Sequence, residues 1–181
     1  DFSGYFDGNG KVIHNIHIGT QLKPAKLTYA GIFATVRKGA VANLGVEWDE
    51  IFLNVSESPT IIGIITGGIA GSILYATIAN CYTTGKLLFE SKYHTIAGGI
   101  VGVNNGSIIN CYSSMNLKGV SPNIIVGGIA GSDGNGAITK NCLALNKTIT
   151  AIGEKIKIIR ISDGDWSIRE NNFAIPELQR L

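Results

Sequence analysis

At 181 residues the length allows one domain, 1–181. Fifteen Lys and Arg against thirteen Asp and Glu leave a formal net charge of +2, too small to draw a polyanion by long-range attraction, so nucleic acid is excluded as the expected partner. Twenty-four glycines without a Gly-X-Y period exclude collagen, and the steady supply of Ile and Val excludes disorder.

The opening residues, Phe2 to Phe6, are apolar enough to cover one end of a stacked array. No basic, apolar and small-residue leader precedes them, and the start at Asp1 reads as a processed or excised piece of a longer chain, with other domains of that chain among the expected partners. From Phe6 to Ile16 runs a first half-unit, Phe6-Asp7-Gly8-Asn9-Gly10-Lys11-Val12-Ile13-His14-Asn15-Ile16, which ends in an apolar-x-Asn-apolar pattern. His14 and His17 form His-x-x-His, but without a following glutamate frame, an acidic third ligand or a helix to align them, no zinc site is expected.

Beyond residue 29 the chain repeats itself. Gly67-Gly68-Ile69-Ala70-Gly71 leads to Ile78-Ala79-Asn80-Cys81-Tyr82, and Gly98-Gly99-Ile100-Val101-Gly102 to Ile108-Ile109-Asn110-Cys111-Tyr112. Gly127-Gly128-Ile129-Ala130-Gly131 leads to Ile138-Thr139-Lys140-Asn141-Cys142-Leu143. Degenerate copies lie at Ala30-Gly31-Ile32-Phe33-Ala34 with Asn43, and near Arg160-Ile161-Ser162 with Asn171. Asparagines at 15, 43, 80, 110, 141 and 171 step by 28, 37, 30, 31 and 30, with the extra residues of the long step placed around Glu47 to Pro59. Such a period belongs to solenoids and other stacked arrays.

Ile61 to Ala79 carries no charge and has Gly63, Gly67 and Gly71 at the small-xxx-small spacing of a membrane helix. The same glycine block returns beside Asn104, Asn105 and Asp133, where no span is possible, so no membrane insertion is expected. Apolar residues within a unit are β-branched and separated by Gly, Asn and Ser clusters, which is strand-and-turn grammar. A unit holds about three strands of about five residues.

The fold expected is all-β, a parallel β-solenoid (β-helix) of about six ~30-residue rungs, right-handed, with neighbouring strands ~4.8 Å apart. Residues 1–29 form an N-terminal half-unit and cap, 30–153 the central repeats, and 154–181 a degenerate last unit and C-terminal cap in which Ile175 to Leu181 cover the end. A propeller blade or a leucine-rich repeat fits less well, since the former needs four strands and the latter a Leu-x-x-Leu-x-Leu frame.

In stacked coils Asn80, Asn110 and Asn141 lie above one another, so each amide can donate to the next along the axis. Cys81, Cys111 and Cys142 share one phase and read as a column of reduced, buried thiols. Gly67, Gly98 and Gly127 stand where a Cβ does not fit or where φ is positive.

The double-glycine block followed by Ile-x-Asn-Cys-Tyr resembles the GLUG-motif repeat of large bacterial cell-surface proteins, and Phe6-Asp7-Gly8-Asn9-Gly10 is similar to the opening that commonly precedes such repeats. The likeness departs at Lys140, an extra residue, and at the last unit, which lacks the double glycine. What the resemblance implies is an extracellular or bacterial cell-surface protein, often an adhesin-like stalk. In some members it is a non-catalytic segment of immunoglobulin A1-cleaving metallopeptidases. It brings no catalytic residues.

Trp48 among Glu47, Asp49 and Glu50 is the most enzyme-like cluster, since β-helical polysaccharide enzymes combine acids with an aromatic platform. Adjacent strand residues point to opposite faces, so only Glu47 and Asp49 share one. The expectation is a non-enzymatic binding or spacer domain with no metal and no cofactor, whose ligand, a host or microbial glycan or a surface protein, is met by Trp48, Glu47 and Asp49. The alternatives are a carbohydrate-active enzyme on the same scaffold and a segment of a surface metallopeptidase. Asp7-Gly8-Asn9-Gly10, Asp133-Gly134-Asn135-Gly136 and Asp163-Gly164-Asp165 read as turns rather than calcium loops. Asn54-Val55-Ser56, Asn105-Gly106-Ser107 and Asn146-Lys147-Thr148 fit the glycosylation sequon.

Overall fold

The computed structural model describes residues 1–57 and 60–175. Among them there is no helix, and the strands pair in parallel with partners about one coil away in sequence, so the chain is a parallel β-solenoid. Among the described residues no helix is long and apolar enough to cross a membrane, and Ile61 to Ala79 folds as the strands Ile62–Gly67 and Ala70–Ala79.

The coil beginning at His94 shows the plan. His94–Gly98 makes the first side, Gly99 and Ile100 turn the chain, and Val101–Ile109 bends at a bulge between Asn105 and Ser107 to give a second and a third. Asn110 and Cys111 turn it again into Tyr112–Ser113, and Asn116–Val120 closes the coil. Five short sides thus replace the three strands expected from length alone, because tight corners and the bulge break the path more often than strand length requires. The third side is six strands deep, from the N-terminal strand Tyr5–Ile18 to Ile168–Glu170, whereas the first is five deep, from Tyr29–Ala30 to Lys155–Ile159. The count comes to about five turns, one fewer than expected, since residues 1–18 supply no strand on the first side.

Alternation supplies the core. Ile64, Thr95 and Ile124 lie inward on the first side, and Ile51, Leu87, Leu117 and Ile149 on the last, all buried. Phe2 and Phe6 pack on Phe33 with ring centroids 4.9 and 5.7 Å away, beneath the first full coil.

The double glycine has a steric cause, since none of its copies takes a positive φ. A Cβ on Gly99 would lie 2.2 Å from the carbonyl oxygen of Gly128 in the next coil and 2.3 Å from Ser113 Oγ in its own. The last glycine of the block packs against the first side: a Cβ on Gly71 would meet the Ile65 carbonyl of its own coil at 2.9 Å, and one on Gly102 the Thr66 carbonyl of the preceding coil at 2.8 Å. First and second sides therefore press backbone to backbone, and Ile69, Ile100 and Ile129 are driven fully inside.

Only one residue of the long coil's surplus lies among the acidic residues, since Glu47 pairs with Thr84, an offset of 37, and Ile51 with Leu87, an offset of 36. Val55 pairs with Ser91, an offset of 36, and Gly67 with Gly98, an offset of 31, so five extra residues lie between Val55 and Gly67. Ser58 and Pro59 of that stretch lie outside the described residues, as does the expected cap from residue 176 onward. Glu47 belongs to a regularly stacked strand, Ala40–Val55.

Gly99→Ala is expected to lose about 3 kcal/mol through overpacking, whereas Gly136→Ala, with nothing within 4 Å of its Cβ and only a φ of +73° to oppose it, loses about 1 kcal/mol. Urea unfolding of the two variants checks the order.

Candidate functional site

The corner after the third side carries most of the repeated residues. Asn43, Asn80, Asn110 and Asn141 all adopt φ between 53° and 55°, a left-handed turn that asparagine tolerates better than other side chains with a Cβ. Each amide donates toward the N-terminal end: Asn141 to Asn110 at 3.0 Å, Asn110 to Asn80 at 3.1 Å, Asn80 to Asn43 at 3.0 Å. The ladder finishes on a carboxylate, Asn43 Nδ2 donating to Asp7 Oδ1 at 3.0 Å. Asn15 is therefore not its first member, contrary to the spacing. It is a bulge between His14, which pairs with Glu47, and Ile16, which pairs with Trp48.

Beside the ladder run the three thiols, free and buried. Each Sγ points to the carbonyl two residues back, at 3.2 Å for Cys81 and 3.3 Å for Cys111 and Cys142. Next outward, Tyr82 and Tyr112 stack with centroids 4.9 Å apart and planes 2° from parallel. Their faces cover one another, so solvent meets ring edges and hydroxyls rather than a flat platform. Tyr82 leans across Gly45, where a Cβ would lie 2.4 Å from the ring, and its hydroxyl donates to Glu47 Oε1 at 3.1 Å.

Trp48 does not reach a ligand. It is 5 % exposed, and its indole N–H donates to the Gly68 carbonyl at 3.0 Å across the interior. Glu47 and Asp49 face solvent on the opposite side of the strand. The acid pair and the aromatic expected to act together are separated by the strand itself. What the spacing did not reveal is that His14 pairs with Glu47, and His17 with Glu50, in adjacent coils. Among the described residues no three His, Cys, Asp or Glu side chains are placed to hold a metal ion.

The Asp-Gly motifs are occupied locally. Asp7 Oδ1 also accepts the Asn9 N–H at 2.8 Å, and Asp163 pairs with Lys157 at 2.6 Å. Asp133 is buried inside the coil, where Asn104 Nδ2 donates to it at 2.8 Å, Ser162 Oγ at 2.5 Å and Thr139 Oγ1 at 3.2 Å. Three donors around one carboxylate compensate its burial without a cation. Of the sequon asparagines, Asn105 is exposed, Asn54 donates to Glu90 at 3.1 Å, and Asn146 is fully buried and closed to a glycan.

An open hollow lies on the second side. A groove of about 370 Å³ is lined by Tyr29, Thr35, Arg37, Ser72, Leu74 and Asn105, with Asp1 paired to Arg37 at 3.2 Å on its rim. Next in sequence to Leu74, Tyr75 is 75 % exposed and held at φ 51°, in a bulge one residue longer than that of the following coil.

Two outcomes follow from the corner. The Asn43 amide, and then the Asn9 N–H, hold the Asp7 carboxyl below its ordinary value of 3.8. Its contribution is present above that value and lost as pH falls through the lower folded value, so protection of the first coil against amide exchange drops from about pH 4 downward, and Asp7→Asn removes the drop. Burial pushes the Cys111 thiol up. A thiol-specific reagent should find no reactive cysteine in the native protein and all three after denaturation.

Residues 93–118 match the family model described as the GLUG motif. No curated protein and no solved structure gives a match. The matched stretch runs from the first side of one coil to the last, so the motif corresponds to one circuit of the solenoid, and the chain is a β-solenoid repeat domain carrying the GLUG motif.

Proposed function

We propose that this chain is a non-catalytic, extracellular binding and spacer domain of a bacterial surface protein, and that its ligand is a glycan held on the second side. The observation that carries the reading is the division of labour within each coil. Residues that recur from coil to coil are occupied by stacking: glycines at the corner, asparagines in the ladder, cysteines in the core. Residues around the groove do not recur. Tyr29 and Arg37 come from one coil and Leu74 and Asn105 from the next two, and they leave an aromatic ring, a guanidinium, an amide and two small hydroxyls, Thr35 and Ser72, facing one hollow.

That combination suits a sugar, whose C–H faces pack on an aromatic ring while its hydroxyls exchange hydrogen bonds with planar polar groups. Tyr75 supports it. A non-glycine residue in the left-handed region costs about 1 kcal/mol, and here the strain holds an aromatic side chain in solvent, next in sequence to Leu74 of the groove. The acid pair offers no such hollow, since Glu47 already accepts the Tyr82 hydroxyl and Trp48 lies in the core.

A glycan array followed by calorimetry on the best binder tests the proposal. Tyr29→Ala and Tyr75→Ala should each weaken binding about three- to tenfold, in keeping with the ~0.5–1.5 kcal/mol of an aromatic contact, while Glu47→Gln leaves it unchanged. Undiminished affinity in both tyrosine variants would remove the groove as the site. Cleavage of a bound polysaccharide by the wild-type domain would overturn the non-catalytic reading.

A further inference from the structure

The geometry points to a built stop: the last coil, 155–174, is chemically closed to the stacking of another in-register coil, of this chain or of a second copy. At Gly68, Gly99 and Gly128 a Cβ would lie 2.7, 2.2 and 2.2 Å from a carbonyl oxygen of the following coil, that of Gly99, Gly128 and Arg160 in turn. The second glycine is thus the seat on which the next coil rests. Without it the two backbones cannot approach.

The last coil has no such seat. Gly127 pairs with Ile159, and the N–H groups of Gly128 and Ile129 bond the carbonyls of Ile159 and Ile161 just as those of Gly99 and Ile100 bond Gly127 and Ile129. Ile159 and Arg160 therefore stand in the places of the two glycines. The Arg160 side chain turns back over the coil beneath, Nη1 donating to the Asn146 carbonyl at 3.4 Å. With the tight corner lost, the second side has no strand after Ala130–Asp133.

Three other columns change in the same coil. Outward on the first side the series Ile65, Ile96, Ile125 ends in Lys157, and a lysine on an edge strand opposes further pairing because its charge would have to be desolvated. In the core the series Cys81, Cys111, Cys142 ends in Asn172, whose amide folds back on the coil below, accepting from the Cys142 N–H at 2.8 Å and donating to the Thr139 carbonyl at 2.7 Å. Along the corner, Asn171 keeps the left-handed φ of 50°, yet among the described residues it makes no side-chain bond to Asn141 and the ladder stops. In the last coil the seat has no glycine, the edge carries a lysine, the core an asparagine and the ladder stops. The first full coil also departs, with Tyr29 on the edge and Leu44 in the core, but it keeps Gly31 at the corner and Asn43 in the ladder, and the next coil stacks on it.

The test uses the full chain carrying an extra copy of residues 93–122. Inserted between Ile152 and Gly153, the copy follows a coil with the Gly127-Gly128 seat. Appended after Leu181, it meets the Ile159-Arg160 coil. Amide hydrogen exchange should find the inserted copy protected at least tenfold over unfolded chain and the appended copy unprotected. Replacing Lys157→Ile, Ile159→Gly, Arg160→Gly and Asn172→Cys together in the appended chain should bring protection to the copy. Equal protection of inserted and appended copies with the native last coil would overturn the stop. So would an inserted copy that stays unprotected, since the double glycine would then not be the seat.

Discussion

Every coil lies ~4.8 Å from the next in parallel register, so the nearest neighbours of a side chain are the residues of its own phase above and below. The rest of the structure depends on that constraint. A position that recurs must hold a residue compatible with copies of itself, which few residues satisfy. Asparagine does, because its amide is donor and acceptor at once and its backbone tolerates the left-handed turn at that corner. Cysteine does, because it is small and finds a carbonyl of its own coil. Glycine does at the sharp corner, because the carbonyl of the following coil takes the place of a Cβ.

Where the register is met by unequal residues, the interior adapts. Asn104, Asp133 and Thr139 replace the isoleucines that occupy the same inward positions in earlier coils, and they satisfy one another within hydrogen-bonding distance. A single buried carboxylate in an apolar stack would be costly; with Ser162 as a further donor it becomes a local lock between the fourth and fifth coils. Outside, self-compatibility relaxes. The second side stacks arginine, leucine and asparagine in one column because its side chains point into water, and there a surface can be made for a ligand without disturbing the stack.

Much of this was legible in the sequence. The spacing of Asn80, Asn110 and Asn141 and the glycine blocks before them dictate a stacked all-β array, and the β-branched alternation dictates which residues face inward. The number of sides per coil was not legible, since corners and bulges are set by steric contacts between coils rather than by strand propensity. Nor was the start of the ladder. Asn15 repeats the local pattern, but the register is decided by the pairing of Phe6 with Val41 and Ile13 with Val46, which leaves Asp7 below Asn43. Trp48 carries a different lesson. The alternation that places Glu47 and Asp49 on one face places Trp48 on the other, so its burial was written in the same rule that paired the acids. The signal for the second-side groove was absent, because its residues are far apart in sequence and share no motif.

The central claim is that coils stack in register and that neighbouring same-phase residues interact directly. A double-mutant cycle on the asparagine column measures this. Asn→Gly keeps the left-handed turn and deletes the amide, so purely local effects cancel within the cycle. Asn80→Gly with Asn110→Gly, neighbours at 3.1 Å, should show a coupling of about 0.5–1 kcal/mol, whereas Asn80→Gly with Asn141→Gly, two coils apart, should be additive within about 0.3 kcal/mol. Equal coupling in the two cycles, or none in either, would contradict the stacked ladder.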